Sequence, residues 1–180
     1  MSQEARSFLS KLHALTENED SFASFFEHLV SLQLTLIFSE MLAGFDGIEF
    51  QEEKEYAKSI KITCISTPFD ETAVDLLEKL NTPFYKISSF EIKDLNLIRY
   101  IAEKNRPIMI SVGMSNLDEI NQAIKTIKKY NKKEILLFHC VSGYPTPIDE
   151  INLKNITYLK DKFKCQIGLS DHTLGYVAAV

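Results

Sequence analysis

The chain has 180 residues, 45% of them hydrophobic and 25% charged, which is enough for one soluble domain with a sizeable core. A formal net charge of -5 excludes a general attraction to nucleic acid or to anionic membranes, so any anion site has to be built locally from a few placed donors. No apolar stretch approaches the roughly 20 residues that span a bilayer, and MSQEARSFLSKL lacks the basic start and apolar core of a secretory signal; a cytoplasmic protein is expected.

Residues 1–45 read differently from the rest. Phe8, Leu9, Leu12 and Leu15 fit one helical stripe, and Phe22, Phe25, Phe26, Leu29 and Val30 fit a second. A helical N-terminal segment that packs on the following domain or mediates self-association is expected. From about Lys61 the pattern becomes regular. Strand-like runs begin near Ile62 (ITCIST), Phe84 (FYKISS), Pro107 (PIMISVG), Glu134 (EILLFHC) and Cys165 (CQIGLSD). Between them lie helical patterns. Asp70 can cap a helix carrying Val74 and Leu77, a second carries Leu97, Ile98 and Ile101, and Asn116 with Glu119 forms a capping-box pattern before Ile120. Leu153, Ile156, Leu159 and Phe163 mark the last helix. Strand and helix in alternation predict repeated βα units on a parallel sheet. The predicted domains are 1–45 and 46–180.

The strand ends carry the chemistry. Ser66 and Thr67, Lys86, Ser88 and Ser89, Ser111, His139, Cys140 and Ser142, then Ser170, Asp171 and His172 all fall at the carboxyl ends of these runs. A parallel barrel gathers such ends at one face, where active sites form. A doubly wound open sheet would do likewise, but no glycine-rich nucleotide loop follows any strand, which favours the barrel.

Lys86 sits in an otherwise apolar strand, so an anion should face it: a ligand phosphate or carboxylate, or in the simplest structural case Glu91. His172 could bind a divalent metal, act as an acid or base, or hydrogen-bond a loop. Tyr144, in a Gly-Tyr-Pro turn, could contact substrate or stack on the prolines. Cys64, Cys140 and Cys165 lack metal-site spacing and read as reduced, half-buried thiols.

STPFD from Ser66, YKISSFE from Tyr85, SVGM from Ser111, HCVSGYPTP from His139, EINLKNI from Glu150 and GLSDHTLG from Gly168 together resemble the sialic acid synthase family, which includes the legionaminic and pseudaminic acid synthases. The resemblance begins near Ser39; residues 1–38 carry none. It implies a (β/α)8 barrel, of which this chain would hold about strands three to seven, and an enzyme that condenses phosphoenolpyruvate with an N-acylated hexosamine. It also implies a divalent metal, Mn2+ or Mg2+, and a homodimer as the family's assembly. Carried over by motif, Thr67, Lys86, Ser89, Ser111 and Ser170 would hold phosphoenolpyruvate and His172 would ligate the metal. Glu91 and Tyr144 would be catalytic residues on the sugar side, and His139 and Cys140 would line the pocket wall. The family's first two strands, its last strand with a second metal histidine and its antifreeze-like domain are not found in the chain. A truncated, non-catalytic remnant is therefore the alternative expectation. A deoxy-heptulosonate type of synthase is disfavoured by the HCVSGYPTP and GLSDHTLG runs.

Overall fold

The computed structural model describes residues 54–55, 57–59, 63–175 and 177–179. The helical stripes expected over residues 1–45 and the boundary expected at 45/46 lie outside them. By contacts the chain divides into Met1–Ser66 and Thr67–Val180. In the first unit residues 54–55 and 57–59 are helical, and 63–66 are neither helix nor strand. The run expected as a strand from Ile62 is thus not one over its described residues, 63–67, where it has no ladder partner.

The second unit alternates helix and strand: α1 (Glu71–Lys79), β1 (Tyr85–Ile87), α2 (Leu95–Glu103), β2 (Ile108–Ser111), α3 (Leu117–Tyr130), β3 (Ile135–His139), α4 (Lys154–Phe163) and β4 (Gln166–Leu169). Short 3-10 turns occupy Glu91–Lys93, Ile148–Glu150 and Val177–Ala179. The helix starts follow from local side chains. Asp70 accepts from the Ala73 amide at 2.8 Å, and Asp94 accepts from Asn96 and Leu97. Asn116 and Glu119 complete the predicted capping box, each side chain accepting from the other's backbone amide. α4 has no side-chain cap; it stops at Lys164, in left-handed geometry at φ 52°. Its apolar stripe is also the least covered, with Leu159 alone buried.

The four strands are all parallel and lie in sequence order, β1-β2-β3-β4. Register aligns Tyr85, Ile108 and Ile135 in one row, and Lys86, Met109, Leu136 and Gln166 in the next. Successive side chains alternate across the sheet. Tyr85 points to the helices, since its hydroxyl donates to Glu78 of α1 at 2.8 Å. Ile87, Ile110, Leu137 and His139 share that face by alternation, while Lys86, Ser111 and Phe138 share the other. Both faces of β1 to β3 are buried, as the strands of a parallel α/β sheet require.

Tyr85 also closes a polar cluster beneath the sheet. Arg106 grips Glu78 with Nε at 2.6 Å and Nη2 at 3.3 Å, and Glu78 accepts from Tyr85 as well. Burial works against the Glu78 carboxylate, but these hydrogen bonds outweigh it and hold its pKa below the usual range. The resulting stabilisation is present above the ordinary carboxylate range and is lost as pH falls through the depressed value. Arg106→Met is expected to lower stability by about 1–2 kcal/mol, because it strands a half-buried carboxylate and its buried phenol. Urea denaturation at neutral pH measures this loss, and an unchanged midpoint would show the cluster to be energetically idle.

Candidate active site

Two groups of polar side chains form at the carboxyl ends of the strands. The first belongs to β1, β2 and β3. Lys86 is only 5% exposed, and no described carboxylate lies within ion-pairing distance of it. Burial lowers its pKa, with Cys140 and Glu91 pulling weakly the other way. The simplest structural partner, Glu91, forms no ion pair with it; Ser88 Oγ donates to the Glu91 carboxylate. Ser111 ends β2 on the same sheet face, and its buried hydroxyl has no hydrogen-bond partner among the described residues. Ser89 Oγ accepts from the Gly113 amide at 3.1 Å and lies 3.3 Å from Cys140 Sγ.

The second group joins the loops after β3 and β4. The Thr146 amide donates to His172 O at 2.9 Å, and Thr146 bridges Thr173. The Thr146 hydroxyl is bonded within its own loop, to Gly143 O and Val141 O. His172 Nδ1 lies 2.7 Å from the Val141 carbonyl. A carbonyl can only accept, so Nδ1 carries a proton, and in the neutral ring Nε2 is then the nitrogen with the lone pair. Ser170 Oγ stands 3.3 Å from that Nε2, and the Tyr144 ring stacks on the imidazole at 4.4 Å. Tyr144 therefore packs on His172, an arrangement its Gly-Tyr-Pro context did not foretell.

The histidine fits one place in a metal site. An imidazole held by a backbone carbonyl through one nitrogen is oriented to ligate through the other. Among the described residues no group of three or more candidate ligands surrounds it.

Strand geometry places His139, which was expected on the pocket wall beside Cys140: it is the last residue of β3 and falls on the helix-facing side. There it is 4% exposed and donates from Nε2 to the Ile151 carbonyl at 2.6 Å. It lines a cavity of about 410 Å³ together with Cys140, Ile120, Asn155 and Leu159. The period-2 alternation that puts Phe138 opposite His139 was available in the sequence and would have assigned it. Thr67 is buried at 3% exposure ahead of α1, and no hydrogen bond joins it to either group. Gly113 was not anticipated as a site residue; its signal was its place in the SVG run directly after a strand.

Consecutive parallel strands with covering helices and a polar cluster at their carboxyl ends define a segment of a (β/α)8 barrel, the fold class whose sites form at that face. The chain belongs to the NeuB family, whose model matches residues 19–180 and so reaches further upstream than the motifs beginning near Ser39. It is 45% identical over 122 residues to the N,N'-diacetyllegionaminic acid synthase of Campylobacter jejuni, covering 67% of this chain and 36% of that protein. To the pseudaminic acid synthase of Helicobacter pylori it is 40% identical, covering 70% of this chain and 37% of that protein. Among solved structures it resembles the N-acetylneuraminic acid synthetase of Leptospira borgpetersenii in complex with citrate, with TM-score 0.76 and 27% identity. That match covers 96% of this chain and 61% of the other. The chain thus spans less than two fifths of the length of these curated relatives.

Proposed function

We propose that this chain provides the phosphoenolpyruvate-binding face of a cytoplasmic nonulosonic acid synthase, the whole protein condensing phosphoenolpyruvate with an N-acylated hexosamine. The observation that carries this reading is Lys86, a buried ammonium with no ion-paired carboxylate among the described residues, on the same sheet face as Ser111, whose hydroxyl has no hydrogen-bond partner among them. One phosphate or carboxylate group would supply the missing partner to both. Ser89, Ser170 and Thr67 are the further donors to that anion in this reading, and Glu91 and Tyr144 take the sugar side. His172 would hold Mn2+ or Mg2+ through Nε2. A metal bound there supplies Lewis acidity toward the aldehyde oxygen of the acceptor. The chain's own residues bind and orient the donor: Lys86 neutralises its anion, and the serine hydroxyls fix its direction. The names of the two relatives given above, a legionaminic and a pseudaminic acid synthase, favour an N-acylated hexosamine as acceptor.

Isothermal titration of the chain with phosphoenolpyruvate tests the reading. Saturable binding that weakens with added inorganic phosphate is expected, and the absence of saturable binding would overturn it. A second reading, donor binding without turnover, is favoured by the lack of a three-ligand group among the described residues. On that reading, manganese and N-acetylmannosamine added with phosphoenolpyruvate release no phosphate; sugar-dependent release would sink it.

A further inference from the structure

We propose that Cys140 is a positioning residue for this anion site, acting through Ser89: its thiol donates to Ser89 Oγ and so commits the Ser89 hydroxyl proton to the bound donor. The proposal rests on the phosphoenolpyruvate reading above and moves Cys140 from the pocket wall to the support behind it.

The geometry is a three-loop junction. Ser89 follows β1, Gly113 follows β2 and Cys140 follows β3, and all three meet at the Ser89 oxygen. A serine hydroxyl has one proton and two acceptor positions. The Gly113 amide, at 3.1 Å, occupies one acceptor position. The remaining contact, 3.3 Å to Cys140 Sγ, admits either atom as donor. If Ser89 donates, its only proton goes to sulfur, a weak acceptor, and the oxygen has nothing to offer an anion. If the thiol donates, the second acceptor position is filled and the hydroxyl proton stays free for a phosphate or carboxylate oxygen. Charge-assisted donation to an anion is the stronger bond, so the bound state selects the thiol as donor.

The sulfur is also held in place. Cys140 is 4% exposed, and a Cβ on Gly113 would come within 2.6 Å of its Sγ, so the sulfur occupies the space that the missing methyl leaves. Cys140→Ala would remove the second donor to Ser89, whereas Cys140→Ser would restore one.

The test is phosphoenolpyruvate affinity by isothermal titration on the full chain, with melting curves confirming that each variant folds. Cys140→Ala is expected to weaken binding about 5- to 10-fold, the effect of losing one hydrogen bond to the anion. Cys140→Ser should stay within about twofold of the unsubstituted chain, a rescue that simple loss of packing would not give. Ser89→Ala should weaken binding as much as Cys140→Ala, and the double variant should be no weaker than Ser89→Ala alone. Cys140→Val, near-isosteric and without a donor, carries the same expectation if the alanine variant does not fold. Unchanged affinity in Cys140→Ala, or losses that multiply in the double variant, would overturn the role given to Cys140. If the unsubstituted chain binds no phosphoenolpyruvate, the ligand reading itself falls and takes the proposal with it. That outcome is recognisable because every arm is then silent.

Discussion

Lys86→Met is expected to raise the melting temperature of the chain while lowering its affinity for phosphoenolpyruvate at least about 100-fold. The two effects have one cause. An ammonium taken from water into an apolar strand costs several kcal/mol unless a counter-charge meets it, and here none of the described carboxylates does. Methionine has a similar length and no charge, so removing the penalty should stabilise the fold by about 1–4 kcal/mol. The same change removes the cation that an anionic donor would pair with. The pH dependence separates this from a packing effect. The unfolded chain holds the Lys86 proton more tightly than the folded one, so the penalty is full below the depressed folded-state pKa. It fades as pH climbs toward the ordinary lysine value of about 10.4. The unsubstituted chain should therefore gain stability across the alkaline side of neutrality, and Lys86→Met should lack that gain. Calorimetric melting at two alkaline pH values and one neutral value measures both terms. A lower melting temperature in Lys86→Met would mean that the lysine is already satisfied and is not an anion receptor.

Gly113→Ala is expected to cost about 1–3 kcal/mol of stability, the range for forcing atoms into a filled space. The added methyl would meet Cys140 Sγ at 2.6 Å, the Cys140 carbonyl oxygen at 2.8 Å and Ser142 Oγ at 3.0 Å. A side-chain sulfur can swing aside, but a backbone carbonyl at the end of β3 moves only if the strand end moves with it. Gly143→Ala, in the following loop, is the control. Its methyl would find its nearest neighbours at 3.8 and 3.9 Å, ordinary contact, so a change within about 0.5 kcal/mol is expected. Urea denaturation of both variants makes the comparison. Equal midpoints would show that the β2 and β3 loops yield easily and do not clamp Ser89.

Legibility of the site followed strand periodicity. The strand ends were found from the sequence because buried apolar runs stop abruptly at hydroxyl, imidazole and amine side chains. Four of the five expected strands are present, in order and with the helices between them. The caps at Asp70 and at Asn116 with Glu119 were readable because each depends on residues within three positions. The face of β3 that carries His139 follows from the alternation along that strand. The pairing of Glu91 with Lys86 was an open possibility on proximity, but Ser88 reaches the carboxylate within one turn. The Asp94 cap passed unnoticed beside a helix whose apolar stripe was plain.

The sequence by itself determined the kinds and order of the elements, the starts of the helices and the family, because these depend on local spacing and on motifs a few residues long. Only the tertiary structure decided which strand ends share a junction: Ser89 with Gly113 and Cys140, and His172 with Val141 and Tyr144. Those partners are 24 to 51 residues apart in the first group and are brought together by parallel register, which no local pattern encodes. The donor direction at His172 Nδ1 follows from a carbonyl that can only accept, and so it exists only once the strands are side by side.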